Sequence, residues 1–497
     1  MAIKRYFATA DNTIANAYKN DLLTRGTGSN MGQADILETF SIYGQESETS
    51  VELSRILIQF PIDQISSDIS AEIIPSSGVS YYLKMFNARH SQTLPKNYKL
   101  DILAVSSSWE EGNGLDMEGY TDETYDGIGS NWVNASASGP WTSQGGDYHV
   151  SPAFTQSFDV GDEDLEVNVT TLVEQWILGS KENYGFGIKL SASYEASSSS
   201  NPSGAQFSYY TKKFFARSSE YYHDRPVLEA RWNSTRRDNR GNFYFSSSLA
   251  PAAENLNKLY LYNYIRGKLR DIGGSSDAIP VLNLYYSSGS VPEGDALYFR
   301  NSSNNAVNFL SASRETTGVY YASFSVTGGA VSTTYPYLVD VWTMSGSELH
   351  TGSVITPNKY GFSNYNPNNK YVMNIKNLKP KYTRGQTERF RLYVREKNWS
   401  PNIYTVAQSA PKNLLIESAS YQICRASDQK IVIPYGTGST AETVLSYDSD
   451  GNYFDLDMDL LEGGYTYEVK FSFYEDSLSS YLEQPYKFKI RVEQDEY

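Results

Sequence analysis

Arg389-Phe390-Arg391-Leu392-Tyr393-Val394-Arg395 places Phe390, Leu392 and Val394 on one side of an extended chain and Arg389, Arg391 and Arg395 on the other. Alternation with period two marks a strand with one buried side, because successive side chains of a strand point to opposite faces. The pattern returns at Lys487-Phe488-Lys489-Ile490-Arg491-Val492, and Tyr465, Tyr467, Val469, Phe471 and Phe473 supply a third apolar row. Three such strands in one stretch predict an immunoglobulin-like β sandwich over residues 371–497.

The same reading extends upstream. In Ser54-Arg55-Ile56-Leu57-Ile58-Gln59-Phe60-Pro61 a buried strand is closed by the proline, and Tyr81–Ala88 and Leu100–Val105 read as the next strands. Gly, Asn, Ser and Pro punctuate the chain at short intervals, so the expected architecture is all-β and antiparallel. One helix is expected at Val169–Gly179, where Val169, Leu172, Val173, Trp176 and Ile177 share a face, Asn168 or Thr170 caps the start and Gly179 the end. A boundary is expected near residue 236, in the charged run Arg236-Arg237-Asp238-Asn239-Arg240. This gives a first sandwich over 1–235, a connecting segment over 236–277, a small immunoglobulin-like sandwich over 278–360 and a linker at Pro357–Lys370. Within the connecting segment, Lys258–Arg266 reads as a strand with Leu259, Leu261 and Ile265 inward and Tyr260, Tyr262 and Tyr264 as an outer aromatic stripe.

Composition narrows the function classes. At 497 residues the chain is long enough for about three domains, and 40% hydrophobic content is enough for each to have a core. Forty-two Lys and Arg against 57 Asp and Glu give a net charge of −15, which excludes a general nucleic-acid or anionic-membrane binder. A single cysteine, Cys424, excludes intramolecular disulfides and cysteine zinc sites, and four scattered histidines leave only oxygen-ligated calcium as a plausible metal. The N-terminal apolar run is too short for a signal peptide, and no window reaches a membrane span. Tyr outnumbers Phe by 42 to 21, a balance suited to assembly surfaces, and a virion protein made in a host cytoplasm reconciles these observations.

The first 232 residues resemble a DNRLRE-type domain, a jelly roll related to carbohydrate-binding modules. The resemblance rests on Gly28-Ser29-Asn30-Met31-Gly32, Ser54–Phe60, Ser108-Trp109-Glu110-Glu111, Trp132 and Trp141, the helix at Val169–Trp176, Asn183-Tyr184-Gly185-Phe186-Gly187-Ile188 and Arg225-Pro226-Val227-Leu228-Glu229. The loop from Gly112 to His149 is longer than that family needs. The wider chain resembles structural proteins of tailed phages of marine bacteria, through Gly241–Ser248 and Val394–Pro401. Together these imply a jelly roll followed by two immunoglobulin-like sandwiches, in a structural or accessory virion protein that acts by assembly. The alternative is an adhesin or host-receptor binder using the first domain on a surface glycan.

Candidate chemistry is sparse. Asp448-Ser449-Asp450-Gly451-Asn452, with Asp455, Asp457 and Asp459 beyond, reads both as a hairpin turn and as the start of a calcium loop whose sixth position is Tyr453 instead of Gly. Asp448, Asp450, Asn452 and Asp459 are the weak calcium candidates, and Gly161-Asp162-Glu163-Asp164 with Glu166 is a second acidic cluster. Trp132 and Trp141 are the candidate glycan contacts. No nucleophile elbow, Cys/His pair or phosphate-binding glycine loop appears, so no enzyme activity and no cofactor are expected. The expected protein interface comprises Tyr260, Tyr262 and Tyr264, a stripe that reads equally as packed against the chain's own neighbouring domain, with the basic faces Arg389, Arg391, Arg395 and Lys487, Lys489, Arg491, which read slightly better as solvated strand surfaces. The expected partners are other virion proteins and further copies of the chain.

Overall fold

The computed structural model describes residues 2–19, 21, 23–43, 51–90, 94–115, 129–137, 139–198, 201–328, 335–358, 370–397, 413–436, 440–475 and 478–494. Most of the linker at Pro357–Lys370, the end of the Val394–Pro401 segment and part of the Gly112–His149 loop lie outside them. The chain is all-β, with two α-helices among the described residues, Ile62–Ser70 and Thr170–Ile177, neither long and apolar enough to cross a membrane. It divides into two units, Ala2–Trp232 and Asn233–Tyr497.

In the first unit a seven-stranded sheet runs in the order Tyr209–Phe215, Ile36–Tyr43, Val51–Gln59, Phe186–Leu190, Tyr98–Val105, Tyr148–Phe158, with Ala10–Ala15 also paired to Val51–Gln59. Facing it is a four-stranded sheet, Ile3–Phe7, Val227–Trp232, Val79–Met85, Leu165–Asn168. Every pairing is antiparallel. Ile56, Ile58 and Phe60 enter the core between the sheets, while Leu57 turns outward into a second cluster with Ile14, Val105, Trp132 and Trp141. Both faces of this strand are therefore covered, which explains its nearly unbroken apolar run. Pro61 closes the strand and also opens a helix that the sequence reading missed: Ile62 and Ile65 are buried and Ile69 packs on the core. Proline suits this place because the first helical amides lack intrahelical acceptors in any case.

The second unit holds two sandwiches. In the first, Asn257–Tyr262, Val319–Ser325, Phe299–Asn301, Ala306–Val307 and Ser313–Thr316 face Leu310–Ser311, Val281–Ser287, Tyr337–Met344 and Ser347–Thr351. Residues 236–277 are thus no connector. Phe243, Phe245, Leu259, Leu261 and Ile272 belong to this core beside Leu282, Phe324 and Trp342. The expected strand over Lys258–Arg266 is also shorter, because Tyr264–Ile265 folds into a hairpin with Lys268–Leu269 around Arg266 and Gly267 (φ 51° and 75°). Two successive positive φ values match the right-handed twist of paired strands, and they leave Ile265 exposed instead of inward.

The last sandwich stacks Tyr371–Ile375, Thr387–Glu396, Gly451–Asp457 and Ser446–Asp448 on Ile431–Ile433, Ala419–Arg425, Thr466–Glu475 and Ser480–Arg491. Phe390, Leu392 and Val394 are buried as their alternation requires, as are Tyr467, Val469, Phe471 and Phe473, whereas Tyr465 lies outside. Phe454 joins the two sheets, its ring 4.2 Å from Tyr421 and 6.0 Å from Phe471.

Candidate interaction site

Pairing of Thr387–Glu396 with Gly451–Asp457 sets Arg389 opposite Asp455 and Arg391 opposite Tyr453. Arg389 donates from Nε and Nη2 to the two oxygens of Asp455 at 2.7 and 2.9 Å. Arg391 donates from Nη1 and Nη2 to the two oxygens of Asp448 at 2.9 and 3.0 Å, with Asp450 at 3.6 Å. Such two-pronged pairs use the planar guanidinium fully. Burial alone would raise the Asp455 carboxyl, but the hydrogen bonds and charge of Arg389, with the charge of Arg236 and other positive groups, together outweigh it and hold the group below its ordinary 3.8. Arg389 and Arg391 of the expected docking cations are therefore neutralised by Asp455 and by the calcium candidates Asp448 and Asp450. Of the other calcium candidates, Asn452 exchanges two hydrogen bonds with the Ile416 backbone at 2.9 and 2.7 Å, and Asp459 accepts from the Gly385 amide at 2.8 Å. Asp448 and Asp450 share Arg391 while Asn452 and Asp459 hold other partners, because the Asp-Gly step makes a hairpin, with Gly451 at φ 116°. Among the described residues, no group of three or more His, Cys, Asp or Glu is placed to hold a metal ion.

The tyrosine stripe meets the same region. Tyr260 is only 4% exposed, its ring stacks 6.0 Å from that of Tyr262, and Tyr262 shares a hydrogen bond with Tyr453 of the last sandwich. Burial pushes both phenols far up. Arg236 ties the arrangement together: its guanidinium lies 6.0 Å from the Tyr262 ring and bonds Glu315 at 2.7 Å, while its amide donates to Ser446 Oγ at 3.0 Å. Asp238 and Asn239 then bond Tyr447. Tyr260 and Tyr262 thus line a seam inside this unit and are not an outer stripe. Tyr264, 61% exposed, alone stays on the surface.

Among the described strands Ser480–Arg491 pairs only with Thr466–Glu475, and its last carbonyl, that of Arg491, accepts from the Tyr382 amide at 2.9 Å. Lys487 and Lys489 lie 3.5 and 3.9 Å from the single carboxylate of Glu468, and Arg491 is exposed. A register shift beside Pro485 bends the strand. Lysines, a proline and a bulge are devices that stop an edge from recruiting another strand. Among the described residues, Arg395 donates to the Glu396 carbonyl at 3.2 Å.

In the first unit Trp132 and Trp141 are 6% and 5% exposed, and Trp141 Nε1 donates to the Asn131 carbonyl at 2.8 Å. Neither offers a face to a sugar. They are buried because the polar loop folds over Leu57, an arrangement that residue order does not reveal. Other residues of the resemblance segments also fasten loops. Asn30 donates to the Glu111 and Ser130 carbonyls and accepts from the Gly32 and Gly114 amides. Arg55 donates to the Gly145 carbonyl at 2.9 Å, and Asn183 bonds the Phe60 carbonyl and the Gly185 amide.

The second acidic cluster is built around a residue the sequence reading passed over. Lys212 is fully buried, and its Nζ donates to Asn87 Oδ1, Gly161 O and Glu163 O at 2.6, 2.9 and 2.7 Å. The Glu163 carboxylate accepts the amides of Asp159, Val160 and Gly161. An ammonium therefore occupies the centre of a loop that could have suggested calcium, and all three of its protons are used. Desolvation lowers the Lys212 pKa to about 8 despite the nearby acidic residues. Alternation did carry the clue, since Lys212 falls between Tyr210 and Phe214 on the inward face.

No family model matches the chain, and no curated protein matches it. Solved structures with some likeness include a chimeric titin Z1Z2 tandem, 12% identical over 48% of this chain and 91% of that one, with a TM-score of 0.14. The N-terminal Ig1-2 module of the Drosophila receptor protein tyrosine phosphatase DLAR is 9% identical over 48% and 91% (TM-score 0.13), and domains 4 and 5 of the S-layer protein SbsC are 9% identical over 43% and 98% (TM-score 0.13). Likeness at these scores carries no argument about this chain, whose sandwich class rests on its own sheets.

Proposed function

We propose that this protein is a non-enzymatic structural or accessory subunit of a tailed phage virion, built from a jelly roll and two immunoglobulin-like sandwiches and acting through protein–protein assembly. The observation that carries assembly is the hairpin end joining Thr466–Glu475 to Ser480–Arg491. There Tyr474, Leu478, Tyr481 and Leu482 are 39%, 59%, 53% and 49% exposed, an apolar group at one tip that association would cover. The virion setting is supported by the resemblance of the chain to structural proteins of tailed phages. The second reading, glycan binding by the first domain, loses the two indoles on which it rested.

The test is particle incorporation of a Leu478→Ser, Tyr481→Ser, Leu482→Ser triple variant. These side chains lie in solvent, so the fold is retained and uptake into particles falls. Normal uptake would refute assembly through this hairpin.

A further inference from the structure

Tyr148–Phe158 ends the seven-stranded sheet, paired with Tyr98–Val105 on one side and with no described strand on the other. An antiparallel edge turns alternate N–H and C=O groups outward as a template for another strand. Four other described strands of six or more residues pair with one strand only, and each is bridged further or carries cations: Ala10–Ala15 is bridged to Asn30, Tyr209–Phe215 exchanges backbone hydrogen bonds with Phe86 and Ala88, Asn257–Tyr262 carries Lys258, and Ser480–Arg491 carries Lys487, Lys489 and Arg491. Tyr148–Phe158 has no Asp, Glu, Lys or Arg in its 11 residues.

Pro152 removes one donor, which leaves Ala153–Phe158 as the competent run. Its outward side chains, Ala153, Thr155 and Ser157, are small and exposed, so they do not obstruct an approaching strand. On the inward side Gln156 donates to the Asp164 carbonyl and accepts from the Glu166 amide, both at 2.8 Å, which fixes the strand in place. Lys181 reaches the Ser151 carbonyl at 3.4 Å, outside this run.

We propose that two copies of this chain join edge to edge at Ala153–Phe158, antiparallel across a two-fold axis, so that their seven-stranded sheets become one. The inference rests on the assembly reading and names the first partner in it. Two-fold pairing sets the strand against its own sequence. The strand holds no Asp, Glu, Lys or Arg, so here no like charges meet in any register. In a chain of net charge −15, a neutral strip is where a second copy approaches at least electrostatic cost. The contact is isologous and consumes both edges, so it closes as a dimer instead of growing into a fibre.

The test uses the full chain in sedimentation over rising concentration, with hydrogen exchange read at residues 153–158. The expected result is a dimer whose formation slows exchange there. Ala153→Lys with Thr155→Lys should weaken it by about tenfold or more, and the uncharged Thr155→Val should leave it intact. A monomer at every concentration, or a dimer that survives both lysines, would overturn the proposal. Particle incorporation of the unsubstituted chain separates the two readings: a chain that is monomeric at every concentration yet incorporates refutes self-pairing alone, and a dimer absent from particles refutes the virion reading alone.

Discussion

Thr387–Glu396 and Ser480–Arg491 carry nearly the same pattern, cations alternating with apolar residues, yet the structure puts the two rows of cations to opposite uses. The first strand lies inside its sheet, and its Arg389 and Arg391 reach carboxylates on the next two strands in two-pronged pairs. The second lies at an edge, and its two lysines share one glutamate at 3.5 and 3.9 Å. Alternation decides which face a residue takes. Place in the sheet and the choice of Arg or Lys decide whether its charge is bound or left to water.

The largest test of this contrast reverses the charges in pairs. Arg389→Glu with Arg391→Glu sets glutamates beside Asp455 and Asp448 and should cost about 3 kcal/mol or more in urea unfolding. Lys487→Glu with Lys489→Glu should stay within about 1 kcal/mol. Equal costs would erase the distinction.

Arg389→Lys keeps the charge and loses the fork, and should cost about 1 kcal/mol in the same measurement. Acid sharpens the contrast further. Because the folded Asp455 carboxyl titrates below its unfolded value near 3.8, its contribution is complete above that pH and is lost as pH falls through the lower folded value. Thermal melts between about pH 5 and pH 2 should show a flatter acid limb in Arg389→Met. The smallest effect is that of salt. Raising it to about 1 M should remove most of the difference between the lysine reversal and the parent, because exposed pairs are screened at that strength.

The fold was legible wherever one face of a strand is buried. Phe390, Leu392 and Val394 announce their strand, and Val169, Leu172, Val173 and Trp176 their helix. The helix at Ile62–Ser70 was hidden because its apolar residues are few and Pro61 reads equally as a strand's end and a helix's start. The site was less legible. Tyr260 and Tyr262 do form a stripe, but what covers it, Tyr453 and Arg236, lies elsewhere in the sequence, and alternation says nothing about partners. Trp132 and Trp141 sit among Ser, Asn and Gly, where polarity suggests solvent, and only the fold of the loop over Leu57 buries them.

Lys212 carries a consequence for how the first unit meets its surroundings. A calcium ion held by the Gly161 and Glu163 carbonyls would exchange with solution, and the loop would loosen whenever free calcium fell below the dissociation constant of the site. The ammonium that stands there is tethered to a strand of the same chain, so dilution cannot remove it and a chelator has nothing to extract. The loop takes the same shape in calcium-poor and calcium-rich media, since its counter-ion is supplied when the polypeptide is made.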